Sequence, residues 1–145
     1  MSKYAIRVDR FRCIGCYACV VACSSWHKDS LERIKIVDVV EGSYPDLTRW
    51  IYPVVCVHCE DAPCVKACPE SAIRIRKDGI IWIDELRCIG CGECLNSCEY
   101  DTIFLNEDTG RAYKCDMCMY RIDEGRRPIC VDVCPTDAII FYKRD

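Results

Sequence analysis

The 145-residue chain has no apolar run long enough to cross a membrane. Its longest apolar stretches, such as residues 51–57, have the length of a buried strand, so no direct membrane span is expected. An apolar signal core is also missing. The start, Met1-Ser2-Lys3-Tyr4-Ala5-Ile6, runs straight into an alternating strand pattern, and Arg126-Arg127 lies too deep to act as a twin-arginine signal. A cytoplasmic chain is therefore expected, unless a folded complex is exported on a partner's signal. Glycine is scarce, with seven residues, and those outside the cysteine loops form no G-x-G-x-x-G phosphate cradle. Nothing resembles a pterin, flavin or nicotinamide site, so no catalytic residue is expected. Positive charge is not in excess: 20 Lys and Arg against 23 Asp and Glu give a formal −3, which works against nucleic-acid binding.

What the chain does have is cysteine, sixteen residues in four groups of four. Cys13, Cys16, Cys19 and Cys23 follow the C-x2-C-x2-C-x3-C run that holds iron-sulfur clusters in bacterial ferredoxins, and Cys88, Cys91, Cys94 and Cys98 repeat it. Cys56, Cys59, Cys64 and Cys68 widen the middle gap to four residues, and Cys115, Cys118, Cys130 and Cys134 widen it to eleven. Three cysteines in one tight loop can converge on three iron corners of a cubane, while the fourth is aimed at a neighbouring cluster. Four groups imply four 4Fe-4S clusters. Gly15 and Gly90 suit such loops because glycine tolerates positive φ. Pro69 and Pro135 follow the fourth cysteines of two groups and are expected to stop the helices that carry them. Ser24 and Glu99 stand there in the other two, where helix termination is less defined.

Three other uses of cysteine fail on the sequence. A secreted disulfide scaffold requires an export signal. Structural zinc sites draw on pairs of ligands separated by a longer loop, which leaves the third cysteine of the first and third groups surplus. Thioredoxin-like C-x-x-C chemistry requires a βαβ context that is absent, and it does not explain four-fold repetition. Each oxidised 4Fe-4S cluster with four thiolates carries about −2, which takes the loaded protein to roughly −11. With so few residues per cluster, the iron must supply much of the folding free energy, and the chain without iron is expected to be largely unfolded.

The organisation repeats a strand, a cysteine loop, a short helix and a strand, an α+β pattern. Strand-like runs lie at residues 4–8 and 80–83 before cysteine loops, and at 72–75, 102–105 and 138–142 after them. Residues 56–105 alone form a complete two-cluster ferredoxin pattern, with Lys77-Asp78-Gly79 as its hairpin turn. The second and third groups therefore pair, and by elimination the first and fourth pair around them. The expected architecture is two ferredoxin-like modules, one inserted in the other: an outer module at residues 1–55 and 106–145, and an inner one at 56–105.

Two stretches are more specific than a generic ferredoxin: Cys56-Val57-His58-Cys59-Glu60-Asp61-Ala62-Pro63-Cys64, and Lys114-Cys115-Asp116-Met117-Cys118. The second is followed by Arg121, Gly125, Pro128 and Cys130-Val131-Asp132-Val133-Cys134-Pro135-Thr136. With these, nearly the whole chain resembles the four-cluster ferredoxin-like subunits of dimethyl sulfoxide reductase-type and related molybdopterin or tungstopterin oxidoreductases. The resemblance implies nested ligation: Cys13, Cys16 and Cys19 with Cys134; Cys115, Cys118 and Cys130 with Cys23; Cys56, Cys59 and Cys64 with Cys98; and Cys88, Cys91 and Cys94 with Cys68. It implies an electron-transfer subunit beside a large pterin-containing catalytic subunit. The second redox partner would be a ferredoxin, a flavin subunit or another copy of the chain. The chain's brevity looks more like the small subunits of tungsten-dependent aldehyde oxidoreductases. A free-standing polyferredoxin or a cluster-based redox sensor is the alternative.

With sixteen cysteines filling four clusters, His58 is expected to pack or hydrogen-bond beside a cluster rather than to bind iron. Lys114 and Arg121 either raise a cluster potential or are solvated charges. Trp26, Trp50 and Trp82 are read as packing or interface residues rather than electron relays.

Overall fold

Each strand is one arm of a two-stranded antiparallel ribbon, and the four ribbons are the whole of the β-structure among the described residues of the computed structural model, 2–144. The chain's two ends pair, β1 (Tyr4–Val8) with β8 (Ile139–Lys143), in a register that sets Ile6 opposite Phe141. Two short ribbons, β4 (Ile73–Ile75) with β5 (Ile81–Ile83) and β6 (Ile103–Leu105) with β7 (Ala112–Lys114), fall in the middle of the chain. The fourth ribbon joins β2 (Lys35–Ser43) to β3 (Asp46–Val54) and is the longest. Five helices carry cysteines or connect them: α1 (Ala18–His27), α2 (Pro63–Ala67), α3 (Glu93–Asn96), α4 (Met119–Asp123) and α5 (Ile129–Asp132). No helix among the described residues is long and apolar enough to cross a membrane.

The five short strands expected from alternation lie within a residue or so of their positions. The stretch 51–57 differs. Its strand ends at Val54, and Val55 and Cys56 then leave the ribbon to enter the core. Helix termination follows proline in part. Helix α2 stops before Cys68 and Pro69, and α5 stops before Cys134 and Pro135. With Ser24 after Cys23, α1 instead continues to His27 and becomes the longest helix. Glu99 does not extend α3, which ends at Asn96, so the stop needs no proline, and Cys68, Cys98 and Cys134 lie just beyond their helices rather than on them as expected.

Burial sorts into two apolar clusters. One holds Ile6, Ile34, Val55, Ile80, Met117, Val131 and Ile139, together with Cys19, Cys23, Cys56, Cys115 and Cys130. The other holds Ala62, Ile73, Ile81, Ile103 and Ala112, with Cys64 and Cys94. Consecutive residues of an extended chain face opposite ways. Ile80 therefore enters the first cluster and Ile81 the second, and the start of β5 forms part of the wall between them. Further links cross the fold. The Lys3 N–H donates to the Asp78 carbonyl at 2.8 Å, and Arg76 forks onto Asp123 at 2.6 and 3.1 Å.

Candidate iron-sulfur sites

In all four groups the second residue after the first cysteine is left-handed: Gly15 (φ 67°), His58 (φ 50°), Gly90 (φ 73°) and Met117 (φ 56°). This turn reverses the chain so that the first and second cysteines face the same side. Glycine adopts it without strain, and the other two residues do so at a cost. A second left-handed residue starts the helix two positions before the third cysteine: Tyr17 before Cys19, Ala62 before Cys64, and Gly92 before Cys94. The fourth group departs here, because Pro128 precedes Cys130 and its ring holds φ at −52°.

The fourth cysteines share a further device. Ser71, Asp101 and Asp137 all sit at φ 50°, three residues after Cys68, Cys98 and Cys134. That twist turns the next residue onto the sulfur. The Ala72 and Ala138 N–H groups donate to the Cys68 and Cys134 sulfurs at 3.3 and 3.2 Å, and Thr102 Oγ1 lies 3.5 Å from Cys98 Sγ. Cys23 has no such turn because α1 runs on through it. Its neighbour is His27, whose Nδ1 bonds the Cys23 carbonyl at 2.9 Å and whose Nε2 lies 3.2 Å from Asp116. Burial works to lower the His27 pKa, but its bonds to Asp116 and Cys23 outweigh burial and raise it to about 10. This contact ties the first group to the fourth.

The cysteines gather as follows. Cys56, Cys59, Cys64 and Cys98 line a cavity of about 300 Å³, together with Lys114 and Thr102. Cys13, Cys16, Cys19 and Cys134 line a smaller cleft walled by Ile36, Ile51 and Ile139. Cys68, Cys88, Cys91 and Cys94 line another, walled by Ile73, Ile83 and Ile89. Cys23, Cys115, Cys118 and Cys130 are all buried, and Cys130 lies close enough to Cys118 and Cys23 for their charges to raise its pKa. Among the described residues no trio of His, Cys, Asp or Glu closes on a single-ion site. In three of the four sets the thiols stand around a volume instead, the donor arrangement that a multi-iron cluster takes.

Burial raises the thiols of Cys19, Cys64, Cys94 and Cys118 to about 11, and it lifts Cys115 and Cys130 as well. Such groups hold their protons at neutral pH, so iron ligation must displace them. Burial also acts on Cys134, but N–H donors from Thr136, Ile139 and Ala138 outweigh it and lower that thiol.

Neither Lys114 nor Arg121 is a solvated charge. Lys114 is buried and its Nζ donates to the carbonyls of Ile81 (2.8 Å) and Cys115 (2.7 Å). Arg121 is buried, pairs with Asp132, donates to the Arg127 carbonyl at 2.8 Å and lies 5.0 Å over the Trp26 ring. Trp50 packs edge-on to Phe11 at 5.7 Å with Arg10 over its face. His58 is fully buried. Its Nδ1 accepts the Ile81 N–H at 2.9 Å, and burial and the Lys114 charge push its pKa well below the ordinary value.

These features define a multi-cluster ferredoxin-like protein. A family model described as a 4Fe-4S dicluster domain matches residues 48–144, and one described as a 4Fe-4S binding domain matches residues 10–26. The electron-transfer subunit of thiosulfate reductase from Salmonella typhi is 40% identical over 99% of this chain and 78% of its own length. The B subunit of anaerobic dimethyl sulfoxide reductase from Escherichia coli K12 is 35% identical over 97% of this chain and 73% of its own length. The iron-sulfur subunit of nitrate-inducible formate dehydrogenase from the same organism is 36% identical over 97% of this chain and 54% of its own length. The chain belongs to this family, the iron-sulfur electron-transfer subunits of dimethyl sulfoxide reductase-type molybdopterin oxidoreductases. Its cofactors are four 4Fe-4S clusters, and it is an electron-transferring rather than a substrate-converting component.

Proposed function

We propose that the chain carries electrons singly between a large pterin-containing catalytic subunit and a second redox partner. When bound, a 4Fe-4S cluster supplies a one-electron carrier; the chain fixes where the four stand. In this reading the ligand sets are Cys13, Cys16, Cys19 and Cys134; Cys23, Cys115, Cys118 and Cys130; Cys56, Cys59, Cys64 and Cys98; and Cys68, Cys88, Cys91 and Cys94. Residues 1–55 and 106–145 form the outer module and 56–105 the inner one.

What supports the reading is that cysteines of successive sets lie near one another. Cys19 of the first lies within charge range of Cys130, Cys115 lies within range of Cys56, and the third and fourth sets share helices α2 and α3. The two terminal sets hold the exposed cysteines, Cys16 and Cys91. Exposed apolar side chains flank both, Ile14 and Val21 at one end and Leu86 and Ile89 at the other. Such surfaces suit partners that exclude water around an electron-transfer contact.

The second partner is proposed to be a ferredoxin, a flavin subunit or another copy of this chain. The relatives above are named for thiosulfate reductase, dimethyl sulfoxide reductase and formate dehydrogenase, and none of them for a tungsten-dependent aldehyde oxidoreductase. The proposal is therefore held at the pterin class. Anaerobic purification of the tagged chain from its own cells tests it. Co-elution of a large subunit containing molybdenum or tungsten is expected. A monodisperse free chain would overturn the subunit reading in favour of a polyferredoxin or sensor.

A further inference from the structure

His58 occupies the left-handed loop position that Gly15 and Gly90 fill in two other groups, so the chain accepts backbone strain there in order to place an imidazole. That imidazole has no exposed surface. The Ile81 N–H donates to Nδ1 at 2.9 Å, so Nδ1 presents its lone pair and the ring proton lies on Nε2. Nε2 is a buried polar atom with no hydrogen-bond partner among the described residues, and native proteins rarely leave a buried donor unpaired. Beside it, Lys114 uses two of its three N–H groups on the Ile81 and Cys115 carbonyls, and its side chain lines the cavity of Cys56, Cys59, Cys64 and Cys98. Both side chains thus cover the same free edge of β5. His58 itself lies in the loop between Cys56 and Cys59.

We infer that the Nε2–H of His58, a residue of the loop between Cys56 and Cys59, donates a hydrogen bond to a sulfur of the cluster held by Cys56, Cys59, Cys64 and Cys98, with Lys114, which lines that cavity, adding positive charge. The inference rests on the ligand set proposed above. Reduction adds one electron and raises the negative charge on the sulfurs, so a fixed N–H donor and a nearby cation favour the reduced state. Met117, at the same loop position of the group at Cys115, has no N–H in its side chain, and its cluster lacks this contact. His58 is a positioning and tuning residue and binds no iron.

The chain has only two histidines, His27 and His58, so histidine labelling is close to site-specific. Protein labelled with histidine that carries 15N in the imidazole ring only, in a His27→Gln background, is reduced anaerobically and studied by pulsed paramagnetic resonance. One cluster should show coupling to a single nitrogen, and Cys98→Ser should perturb that same cluster. In His58→Gly, which relaxes the backbone, the coupling should vanish. At fixed potential, the reduced-to-oxidised ratio of that cluster should fall about tenfold, which is about 59 mV for one electron, with the other three unchanged. An unchanged ratio at full iron content, or no coupling in the His58-containing protein, would overturn the inference and assign the proton to a buried water. If His58→Gly loses the cluster, the coupling in the labelled protein decides alone. Four clusters present, but the coupled one insensitive to Cys98→Ser, would refute the ligand set instead.

Discussion

Gly90→Ala should be far more damaging than Gly92→Ala, although the two positions are neighbours with similar backbone. Gly92 has φ 79° and open space around it, so an added methyl meets only the left-handed strain of about 1–2 kcal/mol. At Gly90, φ is 73° and the methyl carbon would fall 2.1 Å from the Gly110 carbonyl oxygen. That oxygen is backbone. It belongs to the turn between β6 and β7, which is closed by a 2.7 Å bond from the Gly110 N–H to the Asn106 carbonyl. Moving the turn also moves Ala112, whose N–H donates to the Cys88 sulfur at 3.3 Å. Overpacking of this kind adds about 1–3 kcal/mol, for a total of about 2–5 kcal/mol. At roughly 3 °C per kcal/mol for a chain of this size, the expected loss is about 3–6 °C for Gly92→Ala and about 6–15 °C for Gly90→Ala. Gly15→Ala should fall between them, because its obstacle at 2.8 Å is the Ile51 side chain, which can turn away. The assay is thermal bleaching of the visible cluster absorbance under argon. Equal losses for Gly90→Ala and Gly92→Ala would refute the proposed contact between the third cysteine loop and the turn.

Two further outcomes follow from the cysteine arrangement. Anaerobically prepared protein should hold about sixteen iron and about sixteen acid-labile sulfide per chain, with zinc near absent; four iron or fewer in folded protein would contradict four clusters. By paramagnetic resonance, Cys68→Ser should perturb the same cluster as Cys88→Ser, while Cys23→Ser should perturb the one at Cys115, Cys118 and Cys130. An effect of Cys23→Ser on the cluster at Cys56 or at Cys88 would refute the nesting.

Spacing makes the cysteine loops legible because ligation geometry is local, and the glycines at 15 and 90 announce two of the four left-handed turns. His58 and Met117 hide the other two. Neither residue favours positive φ, and only the common offset from the first cysteine could reveal them. The turns at Ser71, Asp101 and Asp137 leave a fainter trace, a polar residue three places after the fourth cysteine followed by Ala or Thr. The β2–β3 ribbon is hidden for a different reason. Its outer half is exposed, so the alternation of buried and exposed residues that marks a half-buried strand is weak there. It is held instead by cross-strand contacts such as the Arg49 fork onto Asp38 at 2.6 and 2.7 Å, and by Trp50 Nε1 to Glu41 at 3.2 Å. The roles of Lys114 and Arg121 depend on long-range partners, the carbonyl of Ile81 and the ring of Trp26, and no local pattern encodes those.

If the four clusters form one relay between two partners, Cys91→Ala should break it at one end. Cys91 is exposed in a terminal set, so its loss removes one end of the succession while leaving the other core in place. In an otherwise folded complex, two activities are measured: one with a dye that takes electrons directly from the catalytic subunit, and one with the physiological acceptor. The relay predicts that the dye-linked activity remains and the physiological activity is lost. Full retention of both would show the clusters at Cys56 and Cys88 to be structural staples and would rule out the relay.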